Sequence, residues 1–179
     1  MLNSRELNPT DFPTISAFAQ TAEELFYIAP FADFPWQAKQ FAEAIHDRLS
    51  NTVFLDGETI IGFANFYDYE LGDNAFIGNV IINPEKRRAG YGKQVLQYML
   101  EKGFTEHGFQ EIHLSCFSGN TAGLLLYRKL GFKPYGIEQR TDYKNESVAL
   151  VNFSLTESDY RQTLSDLKLN QITAKLTNI

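Results

Sequence analysis

The sequence predicts an α+β fold in which a mixed, mostly antiparallel sheet is flanked by helices. Short segments of strand character follow one another in groups, and single stretches with apolar residues at helical spacing separate these groups. Grouped strands interrupted by single helices are typical of an α+β sheet, whereas regular alternation would indicate a doubly wound one. The predicted order is one strand, two helices, three strands, a helix, a strand, a helix and two strands.

The N-terminal part is predicted to hold a strand, two helices and a linker. Residues 2–7 have strand character, and residues 8–11 (Asn-Pro-Thr-Asp) form a helix-start signal before apolar residues at helical spacing. A second helix is expected over residues 35–49. Residues 25–36 between them are rich in aromatics and contain two prolines, so we expect an unusually apolar linker there.

After the N-terminal part, the sequence predicts three strands, and then the spacing of apolar residues changes from strand-like to helical. Residues 52–55 and 59–67 are predicted to form a hairpin, because the Asp56-Gly57 pair readily takes the positive φ of a tight turn. A third strand is expected over residues 75–82. The remaining predicted elements are a helix over 91–104, a strand over 111–117, a helix over 121–130 that ends at Gly131, and a final hairpin of 133–143 with 147–155.

The chain length of 179 residues fits one domain, predicted over 1–155, with a C-terminal helical extension over 156–179. That extension has three open roles: packing on the domain, dimerisation, or fraying. The formal net charge of −6 disfavours nucleic-acid binding and is compatible with a cationic substrate. No segment has the length of a membrane span or the pattern of a secretory leader, so we expect a cytoplasmic protein, either monomer or homodimer.

Metal and disulfide chemistry are not expected. A single cysteine, Cys116, excludes an intramolecular disulfide and a multi-cysteine metal site. His46, His107 and His113 have no metal-ligand spacing with one another. Cys116 falls in an apolar strand pattern, which favours a core position over a nucleophilic role.

The most informative segment is residues 83–93, which read Asn-Pro-Glu-Lys-Arg-Arg-Ala-Gly-Tyr-Gly-Lys. A strand that ends at a proline and returns as a helix after two arginines and Gly-x-Gly exposes unpaired N–H groups at the positive end of a helix dipole. Such an arrangement suits a pyrophosphate. The alternative is a solvated loop with surface charges.

A second motif covers residues 120–132, which read Asn-Thr-Ala-Gly-Leu-Leu-Leu-Tyr-Arg-Lys-Leu-Gly-Phe. Together with Arg-x-x-Gly-x-Gly at 87–92, it resembles the signature motifs of the GNAT superfamily of acyl-CoA-dependent N-acetyltransferases. The resemblance follows the element order over residues 2–155, and its specificity lies in residues 76–132. It implies a sheet that splays at the cofactor site.

The resemblance also implies roles for individual residues. Backbone contacts to the pantetheine arm of acetyl-CoA are expected near Val80, Ile81 and Ile82, and Asn120 is expected to contact the same arm, although it could simply cap a helix. Tyr127 is the expected general acid, because a phenol stays protonated at neutral pH and can protonate a departing thiolate; the alternative is an amphipathic core tyrosine. The pyrophosphate is expected on Arg87, Arg88, Ala89, Gly90, Tyr91, Gly92 and Lys93.

The general base is not identifiable from the sequence. Many members of the superfamily supply a glutamate from the central strand, but the equivalent position here is Gly78, with Asn79 beside it. Each of five other carboxylates is a candidate base or amine-binding group, with an ordinary surface carboxylate as the alternative. These residues are Asp68, Glu70, Asp73, Glu138 and Asp142.

The resemblance therefore implies transfer of an acetyl group from acetyl-CoA to a primary amine by direct attack in a ternary complex, without a metal. A non-catalytic acyl-CoA sensor is the alternative. A phosphotransferase is disfavoured because Gly-x-x-x-x-Gly-Lys-Ser/Thr is absent. The acceptor stays open between a protein N-terminus, a lysine side chain, a polyamine, an amino acid and an aminoglycoside; residues 26–36 and the last hairpin are expected to shape its pocket.

Overall fold

The computed structural model describes residues 2–166, which form a seven-stranded sheet with helices on both faces. The strand order is β1-β2-β3-β4-β5-β7-β6, and every neighbouring pair is antiparallel except β4 and β5, which are parallel. This confirms the predicted mixed α+β sheet. The strands are β1 Asn3–Glu6, β2 Leu49–Asp56, β3 Thr59–Glu70, β4 Asn74–Ile82, β5 Glu111–Phe117, β6 Lys133–Thr141 and β7 Ser147–Thr156.

Six α-helices accompany the sheet within residues 2–166, besides two short 3₁₀ helices at Pro9–Asp11 and Pro84–Lys86. Three precede β2, one connects β4 to β5, one connects β5 to β6, and the last follows β7. None among the described residues combines the length and the apolar character needed to cross a membrane. The helices are α1 Phe12–Ser16, α2 Ala22–Ile28, α3 Ala38–Ala44, α4 Tyr91–Thr105, α5 Thr121–Lys129 and α6 over residues 157–166.

The helix α2 corrects the predicted linker and the predicted count of two N-terminal helices. The Thr21 hydroxyl accepts a hydrogen bond from the Glu24 N–H at 3.1 Å, and the Glu24 carboxylate accepts one from the Gln20 N–H at 2.9 Å. These bonds satisfy donors that a helix start leaves unpaired. The Thr-x-x-Glu capping signal is present in the sequence, but the prolines at 30 and 35 favoured the prediction of a linker over that of a helix.

The sheet separates two apolar cores. One lies between the sheet and the helices α4 and α6, with Phe54, Phe66, Met99 and Leu100 fully buried in it. The other lies beneath α1, α2 and α3, where the rings of Phe41 and Phe63 meet edge to face at 5.2 Å. Both faces of the sheet are therefore covered by helices.

Neighbouring strands β4 and β5 pair over a short stretch only. Asn74, Ala75 and Phe76 are in register with Glu111, Ile112 and His113, and the ladder ends there. Farther along, β5 keeps pairing with β7 as far as Phe117, and β4 keeps pairing with β3 as far as Ile82. The two central strands therefore diverge and leave an opening in the middle of the sheet.

The described part of the C-terminal extension packs on the domain. Tyr160 of α6 is buried against Phe104 of α4, with ring centroids 5.4 Å apart, and Arg161 forms an ion pair with Glu101 at 2.7 Å. Residues 157–166 thus take the first of the three roles considered for the extension. Residues 167–179 lie outside the described residues, and the division into 1–155 and 156–179 stays a prediction.

Replacing the buried ring of α6 tests how much this helix contributes. We expect Tyr160→Ala to lower the free energy of unfolding by about 3 kcal/mol, because it removes a buried aromatic ring from a closed site. Urea denaturation measures this change. Arg161→Gln is the control, since an exposed ion pair is worth about 1 kcal/mol or less; equal losses in the two variants would contradict the packing described here.

Candidate functional site

The opening between β4 and β5 leads into a cleft of about 1000 Å³. One wall consists of the end of α2 and residues 29–33, the floor is the β4 segment 76–80, and the opposite wall is built by β5, α5 and the β6–β7 hairpin. The two walls contact each other through aromatic rings, because the ring of Phe26 in α2 packs against that of Phe117 in β5 with centroids 4.2 Å apart. Of residues 26–36 and the final hairpin, which were predicted to shape a pocket, residues 26–33 and part of the hairpin line this cleft, whereas residues 34–36 do not.

A bulge in β4 marks the point where the sheet opens. Asn79 and Val80 together stand opposite Ala64, because the register between β3 and β4 shifts by one residue there. Asn79 has a φ of 48°, in the left-handed region that asparagine tolerates better than most residues. The Asn79 amide donates to the Ile28 carbonyl at 2.9 Å and accepts from Asn65 at 3.1 Å, which ties α2 to the opened strand.

Gly78 has no room for the glutamate side chain that the resemblance would imply at this position. A Cβ atom built on Gly78 would lie 2.6 Å from Cδ1 of Tyr67, which is on the neighbouring strand β3. The phenol of Tyr67 thus occupies the space above Gly78. A glutamate at position 78 is incompatible with this packing, in line with the departure seen in the sequence.

The predicted pantetheine residues lie along the opened edge of β4 but differ in what they present. Val80 and Ile82 are half-buried, and Val80 lines the cleft. The Ile81 side chain is buried on the other face among the residues beneath α1, α2 and α3. Only the backbone of Ile81 can therefore serve a ligand in the opening.

The loop before α4 presents a row of free N–H groups. Within the described residues, the backbone N–H groups from Arg88 to Lys93 donate to no backbone carbonyl or side chain, and the first to do so is that of Gln94, to the Gly90 carbonyl. Arg88 and Gly90 have φ values of 64° and 84°, which curl the chain into a concave nest. Nothing lies within 4 Å of a Cβ built on Gly90, so the nest is open.

The two arginines of this loop differ in their surroundings. Arg87 is held in place: its guanidinium pairs with Glu24 at 2.5 Å and donates to the carbonyls of Phe18 and Ile82 at 2.9 and 3.2 Å. Arg88 is exposed and has no ion-pair partner among residues 2–166. Arg88 is thus available to a phosphate, whereas Arg87 fastens the loop to α2.

Of the remaining loop residues, Tyr91 and Gly92 contact neighbouring elements, whereas Ala89 and Lys93 face solvent. The Tyr91 hydroxyl donates to Asp56 at 2.9 Å, and this contact anchors the loop to the β2–β3 turn. Ala89 and Lys93 are exposed, and Gly92 packs 3.5 Å from Leu126 of α5, measured from a Cβ built on the glycine. Contact between Gly92 and α5 puts the start of α4 next to the cleft wall.

Asn120 caps α5 and also lines the cleft. Its side-chain oxygen accepts a hydrogen bond from the Gly123 N–H at 2.9 Å. A Cβ at position 123 would lie 2.9 Å from the Asn120 amide nitrogen, so Gly123 is needed for this cap. Capping uses the oxygen and leaves the NH₂ group without a hydrogen-bond acceptor within residues 2–166, so the two roles considered for Asn120 are compatible.

Tyr127 reaches the cleft from α5. Its ring packs edge to face against Phe132 and Phe153, with centroids 6.2 and 6.1 Å away. Burial raises the pKa of the Tyr127 phenol above its usual value, and the nearby Cys116 and Tyr67 raise it further. The phenol is therefore a proton donor that keeps its proton at neutral and moderately alkaline pH.

The cleft carries carboxylates, only some of which the sequence singled out. Asp68 and Glu138 line it, whereas Glu70, Asp73 and Asp142 do not. Asp33 and Glu43 also line the cleft and were missed, because they fall in a linker and on a short helix that carry no recognisable motif. The carboxylate of Glu138 belongs to a polar chain: it accepts from Asn152 at 2.6 Å, and Asn152 accepts from the Ser115 hydroxyl at 2.7 Å.

Cysteine and histidine contribute no metal or nucleophile site in the described part of the chain. Residues 2–166 contain no group of three or more potential ligands. Cys116 is buried, and burial raises the pKa of its thiol to about 12. A thiol with this pKa stays protonated and unreactive.

Comparison with known proteins agrees with this geometry. The sequence model described as "Acetyltransferase (GNAT) family" matches residues 14–132. The chain is 24% identical over 149 residues to the [ribosomal protein bS18]-alanine N-acetyltransferase of Escherichia coli K12, which covers 81% of this chain and 93% of that protein.

Solved structures share the fold. The spermidine N-acetyltransferase of Vibrio cholerae, crystallised with CoA and spermine, superposes with a TM-score of 0.75 at 18% identity and covers 89% of this chain and 97% of its own. The ribosomal-protein-S18-alanine N-acetyltransferase of Escherichia coli gives a TM-score of 0.67 at 23% identity, with coverage of 87% and 94%.

The bulge at Asn79 allows a test of what holds the opening in shape. We expect Asn79→Ala to lower the free energy of unfolding by about 2 kcal/mol, because it removes two hydrogen bonds and puts alanine at a positive φ. Asn79→Gly removes the same hydrogen bonds, but glycine adopts a positive φ without strain, so the loss of unfolding free energy should be about 1 kcal/mol smaller. Urea denaturation of both variants measures the difference; equal losses would mean that the backbone conformation contributes nothing.

Proposed function

The chain belongs to the acetyltransferase (GNAT) family and is an acetyl-CoA-dependent N-acetyltransferase, and on this premise we propose that the cleft between β4 and β5 is its active site. The observation that carries the proposal is the end of β4–β5 pairing at Phe76 and His113. Beyond it, a free strand edge and Tyr127 line the opening, and the nest of N–H donors lies beside it, where Gly92 approaches Leu126 of α5. The alternative of a non-catalytic sensor is therefore not retained.

The loop and the strand edge fit the two polar parts of CoA. The N–H groups of residues 88–93 and the Arg88 side chain suit the pyrophosphate, since donors and a helix dipole act on it together. The free edge of β4 near Val80 suits the amide groups of pantetheine, as another strand would. Lys93 adds charge at the rim, and Arg87 holds the loop in position through Glu24.

Acetyl-CoA supplies the acetyl thioester, and the chain's residues supply orientation and a proton. Tyr127 is proposed to donate its phenolic proton to the sulfur atom that leaves, since its raised pKa keeps that proton in place. Backbone N–H groups of β4 beyond the end of its ladder with β5 are proposed to stabilise negative charge on the thioester oxygen.

The acceptor is proposed to be a primary amine that enters from the side of residues 26–33 and the β6–β7 hairpin. An alkyl amine with a reference pKa of about 10.4 must lose a proton before it attacks, at a cost of about 4 to 5 kcal/mol at pH 7. Asp68 and Glu138 are the cleft carboxylates singled out from the sequence, and we propose that one of them takes the proton through water. The cytoplasmic location and the choice between monomer and homodimer stay predictions.

The two loop arginines separate binding of the cofactor from stability of the fold. Arg88→Gln is expected to raise the Kd for acetyl-CoA about tenfold, because one charge-assisted contact is worth about 1.4 kcal/mol or more. Its affinity for acetyl-pantetheine, which lacks the pyrophosphate, should not change. Calorimetric titration with both compounds measures the effect.

Arg87→Gln is the matched control for that experiment. It should lower the free energy of unfolding by about 1 to 2 kcal/mol, since it leaves Glu24 without its partner, and it should change the affinity for acetyl-CoA less than Arg88→Gln does. The assignment of the pyrophosphate to the nest is wrong if Arg88→Gln weakens binding of acetyl-CoA and of acetyl-pantetheine equally, or weakens binding of neither.

The role of Tyr127 is tested by Tyr127→Phe. We expect kcat to fall about 100-fold with the Kd for acetyl-CoA unchanged within about twofold, because only proton donation is lost. Since the pKa of the phenol is raised, the unaltered protein should show no alkaline loss of kcat below about pH 10. Thiol release measures both quantities.

The control for this variant is Tyr98→Phe, whose ring packs on Phe54 at 5.3 Å away from the cleft and which should keep full kcat. A Tyr127→Phe protein with unaltered kcat would remove the general-acid assignment but leave the cofactor site in place.

A further inference from the structure

Arg48 is a cation without a carboxylate partner in the wall of the cleft. It lies between α3 and β2, and its Nε donates to the Ala44 carbonyl at 3.1 Å. Its guanidinium carbon sits 4.4 Å from the centroid of the Tyr67 ring. Within the described residues, its two terminal nitrogens donate to no protein acceptor and no carboxylate lies within 4 Å of it.

The other six arginines of the described chain do not share this situation. Arg128 and Arg88 are unpaired but exposed to solvent. The other four, all in ion pairs with carboxylates, are Arg5, Arg87, Arg140 and Arg161. Arg48 is half-buried and unpaired at once, and a charge that has lost part of its hydration is usually paired.

The electrostatic surroundings of Arg48 leave space for an anion. Burial lowers the pKa of its guanidinium, and Tyr67, Asp47 and Asp68 offset this only in part. Stacking on Tyr67 holds the guanidinium plane in place without using its terminal N–H groups. A fixed planar fork with free donors matches the two oxygens of a carboxylate.

The position of Arg48 relates this free fork to the proposed reaction centre. The Tyr67 ring that carries the guanidinium also covers Gly78, on the β4 segment that faces the opening. Arg48 and Gly78 therefore contact the same aromatic ring, and both line the same cleft. An anion on Arg48 and an amine at the floor of the cleft would share one pocket, as two groups of one small molecule can.

We infer that the acceptor is an amine that carries a carboxylate close to its amino group, as in a free amino acid, and that Arg48 binds this carboxylate. The inference rests on the proposed function, because it concerns the acceptor side of the same cleft. It makes Arg48 a specificity-determining residue. A polyamine offers the Arg48 guanidinium no anion, and its second positive charge would have to lie beside the cleft carboxylates instead.

The test compares acceptors that differ only in the carboxylate. Release of CoA from acetyl-CoA is measured with the twenty standard amino acids and with their primary amides, and lysine and ornithine are also paired with cadaverine and putrescine. We expect at least one amino acid to be acetylated with a kcat/KM at least tenfold above that of its amide. In Arg48→Gln this preference should be lost through a rise in KM, with kcat and the activity on the amide little changed.

Arg140→Gln is the matched arginine variant, since Arg140 also lines the cleft but already pairs with Glu138. It should keep the preference for the acid. Arg48→Lys keeps the positive charge but not the planar pair of N–H donors, so it should retain more of the preference for the acid than Arg48→Gln does.

Three outcomes would overturn the inference. If amides, diamines or peptides are acetylated and free amino acids are not, the proposed function stands and the assignment of Arg48 is wrong. If Arg48→Gln lowers kcat/KM for acids and amides equally, Arg48 supports the wall and does not read the substrate. If acetyl-CoA binds but no amine releases CoA, the proposed function fails and the inference falls with it.

Discussion

The short parallel ladder between β4 and β5 is the constraint on which the rest of the site depends. Three residues on each strand pair, and then the strands part while each keeps its other neighbour. Unpaired backbone at the centre of a sheet is costly unless something satisfies it. The opening is thus a place where the fold has left hydrogen-bonding capacity for a ligand, and the cofactor of this family carries amide groups that can use it.

Several contacts keep the strands apart, and most of them involve α2. Asn79 fastens the bulge of β4 to the end of α2, Phe26 stacks on Phe117 of β5, and Glu24 holds Arg87 in the loop after β4. One short helix therefore touches both diverging strands and the nest beside them. We regard α2 as the brace of the cleft, although its seven residues would be only marginally helical in isolation.

Much of the architecture could be predicted from the sequence because it rests on periodicity and turn chemistry. The strand over 111–117, the helix that starts at Tyr91 and the left-handed Gly131 were all predictable, since each depends on local patterns. The helix α2 was missed because prolines and aromatics hid its capping signal. The partners of Arg87 could not be predicted at all, since Glu24 and Phe18 lie more than sixty residues away in the chain.

The same distinction applies to the candidate site. The loop 87–93 could be predicted as a phosphate site from its glycines and helix start, whereas the roles predicted for Asn120 and Tyr127 came from the family resemblance of their motif. The acceptor side has no such motif. Arg48, Asp33 and Glu43 reach the cleft only through the packing of α3 and the segment before it, which no local pattern encodes.

The close packing of Tyr67 on Gly78 has a consequence for how this chain could change over evolutionary time. A bulky residue at position 78 requires a smaller one at 67, and losing the ring would also remove the surface on which Arg48 rests. The effects of substitutions at positions 48, 67 and 78 are therefore expected not to add, because the three residues share one ring. A larger residue at position 78 is expected to arise only together with a smaller one at position 67, and the orientation of Arg48 would then change as well.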